Sequence, residues 1–109
     1  MRATDPLPGG LELAVLVAVA RLGEDAYGAT VRRELSERAG RDYSVGAVYT
    51  TLDRLEGKGL VRSWRSDPTP VRGGRARRCF ELTAAGRRAL SASRDDARRR
   101  LADLGWNPA

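Results

Sequence analysis

The sequence predicts a mostly α-helical fold that carries one small β-hairpin. Three observations lead there. Apolar residues recur at helical spacing in four segments, whereas strand-like runs are confined to residues 60–66 and 78–83. Those two runs are joined by a stretch rich in proline and glycine, which suits a turn-closed pair of strands. The 109 residues allow a single domain with a modest core.

Residues 1–10 hold two prolines and two glycines and are expected to form a flexible N-terminal arm. Leu11 to Leu22 is a helix interrupted only by Glu12 and Arg21. It is apolar around most of its circumference, and such a helix is buried on more than one side. A partner subunit or a tightly wrapped core of its own would cover it. In so short a chain the surplus favours the partner. Gly23 to Asp25 is a turn, with Asp25 the candidate cap of the next helix. Tyr27, Val31 and Leu35 then share one face, while Arg32, Arg33, Glu34, Glu37 and Arg38 face water. Gly28 lowers helix propensity by roughly 1 kcal/mol against alanine, so it is expected to permit a close approach by another helix. Gly40 ends this helix, and Arg41 to Tyr43 link it to the next.

Ser44 reads as an N-cap whose hydroxyl accepts from a backbone N–H of the first turn. Val45, Val48, Leu52 and Leu55 draw one apolar stripe down a helix over 44–57, and Gly57 and Gly59 mark its end, with Lys58 near the negative end of the dipole. The opposite face carries Gly46, Ala47, Thr50 and Arg54: small or hydrogen-bonding groups with one cation. Such a face lets a helix sit deep in a concave surface, and the DNA major groove is one. On this helix alone, an ordinary amphipathic helix with an accidental small face explains it equally well.

In the hairpin, Phe80 and Leu82 are expected inward. Pro68 and Pro70 forbid regular pairing in the connecting loop, and Gly73-Gly74 supplies its tight tip. Arg72, Arg75, Arg77 and Arg78 are expected to cluster at that tip. Three helices followed by such a hairpin make a winged helix-turn-helix. The wing, residues 67–77, would lie along the DNA backbone or enter the minor groove. The plain alternative is a solvated run of charge.

Thr83 caps the last helix, where Leu90, Ala97, Leu101 and Leu104 trace a thin stripe broken by Ser93. That stripe suits packing against the first helix, of its own or a partner subunit. Trp106 closes the core edge or lines an interface, where it is the candidate ligand contact. The expected organisation is an arm over 1–10, a winged helix-turn-helix over 11–83, and a C-terminal dimerisation helix and tail over 84–109.

The net charge is +6, and nineteen of the twenty basic residues are arginine, Lys58 being the exception. Arginine forks match phosphates and guanine edges, and the excess fits a polyanionic partner. With no histidine and a single cysteine, Cys79, the sequence excludes Ser–His and Cys–His nucleophilic pairs, His/Cys metal clusters and any intrachain disulfide. No carboxylate pair sits in an apolar setting, so neither an enzyme nor a cofactor is expected. There is no signal-peptide layout, and the longest apolar run, Leu13 to Ala20, is too short to span a bilayer. The expectation is a soluble, cytoplasmic protein with no membrane partner.

The stretches DAYGATVRREL, SVGAVYTTLDRLEGKGLV and PTPVRGGRARRCFELTAAGRRAL, in this order after an apolar helix, resemble the PadR family of bacterial transcriptional regulators. The likeness runs from about Leu11 to Leu90, and the short end after one C-terminal helix is similar to the subfamily that lacks a separate C-terminal domain. The resemblance implies a homodimeric repressor with the Ser44 helix in the major groove. It implies that Ser44, Ala47, Tyr49 and Thr50 face DNA and that Gly74 and Arg75 form the wing tip. In a helical projection Tyr49 lies at the edge of the apolar stripe, so its ring can pack while its hydroxyl reaches a phosphate. Two departures stand out. Cys79 and Phe80 replace a frequent pair of tyrosines. Ala97 stands near the position where multidrug-binding members carry an aromatic, so a flat-drug pocket is not carried over.

Together these readings give a dimeric regulator of double-stranded DNA that binds an inverted repeat. Ser44, Ala47, Tyr49, Thr50, Arg54, Arg72, Gly74, Arg75 and Arg77 would meet DNA. Leu13, Leu16, Val17, Leu90, Ala97, Leu101 and Leu104 would form the dimer interface, with an apolar or aromatic effector near Trp106. The rivals are a winged helix used for protein or RNA contacts, and a ligand sensor whose dimer cleft is the main site.

Overall fold

The structure is a computed structural model, described for residues 7–66 and 77–106. Helix α1 (Gly10–Leu22) stops where Gly23 takes φ 57°, and a single 3-10 turn over Gly23–Asp25 follows. Helix α2 (Gly28–Ala39) is not capped by the Asp25 carboxylate, as the sequence suggested. The Thr30 hydroxyl accepts from the Tyr27 N–H at 3.1 Å and donates to the Asp25 backbone carbonyl, so Asp25 serves through its main chain. Gly40, left-handed at φ 68°, ends α2.

The link to helix α3 (Val45–Gly57) is tied back onto α2. Arg32 Nε donates to the Tyr43 carbonyl at 2.6 Å, and the Tyr43 N–H donates to Ser36 Oγ at 3.3 Å. The far end of α3 is tied to α1, since Lys58 Nζ lies 2.8 Å from Glu12 Oε2. These ties hold both ends of α3 to the helices it packs against.

Strands β1 (Val61–Arg65) and β2 (Arg78–Leu82) pair antiparallel, from Val61 opposite Leu82 to Arg65 opposite Arg78. Phe80 and Leu82 point inward as expected, but Cys79 on the other face is buried too. The reason is an edge the sequence did not reveal. The Phe80 N–H donates to the Ala26 carbonyl at 2.8 Å, and Tyr27 forms a β-bridge with Cys79. The connection before α2 therefore covers β2 like a short third strand.

One contiguous core joins α1, α2, α3 and the hairpin. Val15, Leu16, Val31, Leu52, Leu55 and Phe80 have no accessible surface in it, and each such side chain contributes about 1.5–3 kcal/mol of burial. Leu16 was expected at the dimer interface and is corrected by this. Helix α1 turns Val15, Leu16, Ala18 and Val19 into its own chain's core, which leaves Leu13 half-buried and Val17 exposed.

Helix α4 (Ala84–Asp103) starts as predicted. Thr83 Oγ accepts from the Gly86 N–H at 3.0 Å and donates to the Gly59 carbonyl at 2.6 Å. A Cβ at Gly86 would lie 2.1 Å from the Leu60 carbonyl oxygen, so only glycine lets α4 press onto the strand entrance. Gly86 and Ala89 are its buried residues. Leu90 still packs on the core, but beyond it Ala97, Leu101 and Leu104 are exposed within one chain.

Candidate nucleic-acid interface

Helix α3 presents the face that the sequence assigned to DNA. Ser44 caps it, its hydroxyl accepting from the Ala47 N–H at 3.0 Å. Val48, Leu52 and Leu55 are buried, and Gly46, Thr50 and Arg54 are exposed on the opposite side, with Ala47 half-buried at the edge. The apolar stripe needs one correction. Val45 is 54% exposed, because it sits in the first turn beyond the reach of the core. Thr51 takes a place on the inner face instead, its hydroxyl donating to the Ala47 carbonyl at 2.8 Å so that it can be buried without an unmet hydrogen bond.

Tyr49 leaves α3 on the flank that faces α2 and the hairpin. It is half-buried, and its ring occupies the space above Gly28: a Cβ there would lie 2.0 Å from the Tyr49 hydroxyl oxygen. The sequence reading that Gly28 admits a close neighbour thus holds, and the neighbour is an α3 side chain. Around it opens a cleft of about 610 Å3, bounded by Tyr27, Ala29, Arg65, Arg77 and Arg78. The Arg77 guanidinium lies 4.5 Å over the Tyr27 ring, which holds this cation at the mouth of the cleft. Sequence reasoning did not single out Tyr27 or Arg65 here. Nothing in their spacing shows that the pre-α2 segment and β1 end beside Tyr49.

The four arginines grouped at the wing tip divide. Arg72, Gly74 and Arg75 lie outside the described residues. Arg77 is exposed beside Tyr27. Arg78 is drawn back onto α3, with Nη1 2.8 Å from Asp53 Oδ1 and Nη2 2.8 Å from Glu56 Oε1. The Ser63 hydroxyl donates to the other Glu56 oxygen. That bond, and after it Arg78, hold the Glu56 carboxyl below its ordinary value despite partial burial. Arg78 therefore spends its charge within the protein.

None of the residues assigned to the dimer interface lines this cleft. Val17 on α1 and Leu101, Leu104 and Trp106 at the end of α4 are large apolar groups left open to solvent, Leu104 at 83% exposure. Trp106 is fixed by its N–H donating to the Leu101 carbonyl at 2.9 Å, with Gly105 at φ 89° turning the chain. A shallow apolar groove of about 410 Å3 runs beside Leu13, Val17, Leu35 and Tyr43. Among the described residues no group of His, Cys, Asp and Glu could hold a metal ion, and no helix is long and apolar enough to cross a membrane.

Comparison with known proteins agrees with this architecture. Residues 15–92 match the family model described as the transcriptional regulator PadR-like family. The transcriptional regulator Rv3488 of Mycobacterium tuberculosis is 44% identical over 70 residues, which are 64% of this chain and 61% of that protein. The matched part thus spans about three-fifths of the relative's length. The fold is similar to that of a PadR-like transcription factor from Bacteroides fragilis, with a TM-score of 0.75 at 19% identity over 87% of this chain and 86% of that one. It is also similar to a PadR family transcription regulator from Clostridium difficile, with a TM-score of 0.70 at 20% identity over 90% and 100% of the two chains. With its model matched across the core, α3, the hairpin and the start of α4, this chain belongs to the PadR-like family of transcriptional regulators, a family of regulators and not of enzymes.

Proposed function

We propose that the chain is a homodimeric repressor that binds an inverted-repeat operator in the cytoplasm. Helix α3 lies in the major groove and the 67–77 wing on the backbone or in the minor groove. The observation that carries this reading is the bare face of α3, Gly46, Ala47, Thr50 and Arg54, standing beside a cleft that presents Arg65, Arg77 and Tyr49. The small side chains admit the helix to a groove, and the flanking cations meet phosphates. Repression itself rests on the resemblance to PadR regulators.

The exposed apolar groups on α1 and the end of α4 support a two-fold dimer built by these helices. Its two recognition helices favour half-sites about one helical turn apart, roughly 34–36 Å, or a multiple of it. An apolar or aromatic effector would enter at the same interface and meet Trp106, so quenching of its fluorescence in a Trp64→Phe background reports such binding.

The test is a panel of operator variants recovered from a random duplex pool, titrated at several salt concentrations. Thr50→Ala should change which base pairs are preferred, by about 1–3 kcal/mol per affected contact. Arg75→Ala should weaken all duplexes alike and, for one lost phosphate contact, lower the slope of log K against log salt by about one unit per subunit. Salt-independent binding, or equal affinity for RNA, would overturn the reading in favour of a protein- or RNA-contact module. Transcription from a promoter overlapping the operator should fall when the protein is added.

A further inference from the structure

We propose that Arg78, Asp53, Glu56 and Ser63 form a clasp that ties the base of the hairpin to α3, and that positioning, in place of a phosphate contact, is what Arg78 contributes to DNA binding. The proposal rests on the DNA-binding reading above. Arg78 is the first residue of β2, where the chain returns from the 67–77 segment. All three of its guanidinium nitrogens are engaged. Nη1 meets Asp53 and Nη2 meets Glu56, both at 2.8 Å, and Nε meets Ser63 Oγ at 3.3 Å. Below them the guanidinium carbon stacks 4.9 Å over the Phe80 ring, in the centre of the core. One side chain thereby links α3, β1 and β2.

The two carboxylates stand three residues apart on one flank of α3, which lets both reach a single planar fork. On charge alone their presence is unfavourable: two acids on a helix that approaches a polyanion repel it. The clasp accounts for them. It offsets one of the two negative charges and uses both acids to fix the base of the hairpin, so Arg65 and Arg77 stand already oriented beside α3. Without it the base of the hairpin, with Arg65 and Arg77, must be ordered during binding, at an entropic cost.

Direct contact and clasp differ in the sign of one result. Asp53→Ala/Glu56→Ala removes two negative charges and no cation, at helix positions where alanine is favourable. If Arg78 meets phosphate, this variant binds the selected duplex more tightly, because the repulsion is gone and Arg78 is released. If Arg78 positions the base of the hairpin, binding weakens, by roughly three- to tenfold for the loss of that pre-ordered base. Arg78→Lys separates them again, since it keeps the charge and loses the fork. The clasp expects it to bind as weakly as Arg78→Ala, whereas a phosphate contact would be largely restored.

Amide exchange in the DNA-free protein gives a readout that needs no operator. The Ser66 N–H, bonded to the Arg77 carbonyl at 2.8 Å just beyond the strands, should exchange faster in all three variants, while the Leu52 amide in the core stays protected. Tighter or unchanged DNA binding by the double variant, rescue by lysine, or unaltered exchange at Ser66 would overturn the clasp. If the unaltered chain binds no duplex, the DNA-binding reading fails, and the exchange data alone decide whether the clasp orders the base of the hairpin.

Discussion

Gly28→Ala tests the contact on which the cleft depends. Gly28 has no positive φ, so alanine suits its backbone and would favour the start of α2 by at most about 1 kcal/mol. Its Cβ, however, would lie 2.0 Å from the Tyr49 hydroxyl oxygen and 2.2 Å from Cζ, where ordinary contact begins at 3.4 Å. The obstacle is a half-buried side chain and not backbone, so the ring swings outward and α2 stays in place. Displacing a packed group in this way costs about 1–3 kcal/mol. Gly28→Ala should therefore destabilise the protein by up to about 2 kcal/mol. In a Tyr49→Ala background the same change should stabilise it, by up to about 1 kcal/mol. The coupling between the two sites is expected at about 1–3 kcal/mol. Urea unfolding of the four proteins, at one fixed concentration because the proposed dimer would contribute to stability, measures it. The single variant should also bind all duplexes more weakly, since Tyr49 no longer keeps its place in the cleft lined by Arg65 and Arg77. If Gly28→Ala has the same effect with and without Tyr49, the ring does not occupy that space and the proposed wall of the cleft is wrong.

Leu101→Asp changes a residue that is 43% exposed in one chain, where a monomer would register only about 0.5 kcal/mol. At a dimer interface it should convert the protein to monomers in micromolar sedimentation runs and lower operator affinity with it. A variant that remains dimeric would remove α4 from the interface. Gly86→Ala meets backbone at 2.1 Å, with no side chain able to move aside, and should lower the urea midpoint more than Gly28→Ala does. The Glu56 carboxyl is held below its ordinary value of 4.5 by Ser63 and then Arg78. A depressed folded pKa gives stability that is present above the unfolded value and lost as pH falls through the folded one. Glu56→Gln should therefore lower the urea midpoint above pH 4.5 and approach the unaltered protein below it. A difference between the two that stays constant across that range would contradict the assigned partners.

The local elements were legible in the sequence because each depends on neighbours in the chain. Ser44 and Thr83 cap the helices they precede, Gly23 and Gly40 end the helices before them, and the spacing of Val48, Leu52 and Leu55 fixes the inner face of α3. The order of those elements led to the winged helix, and the motifs led to the family. What the sequence misassigned were contacts between elements. Periodicity shows that α1 is apolar all round, but only packing decides that Leu16 enters its own core while Val17 stays outside. Spacing groups Arg77 with Arg78, yet Arg77 lies just before β2 and Arg78 opens it, and neighbouring side chains of an extended chain point to opposite faces. One therefore stacks on Tyr27 and the other turns to Asp53 and Glu56. Likewise Gly28 announces a close neighbour without naming it, because Tyr49 is 21 residues away and meets it only when α2 and α3 are packed. Caps and periods are properties of a few consecutive residues. Which side chain meets which across two elements is set by their crossing angle, and that angle emerges only when the whole core closes around Phe80 and Leu55.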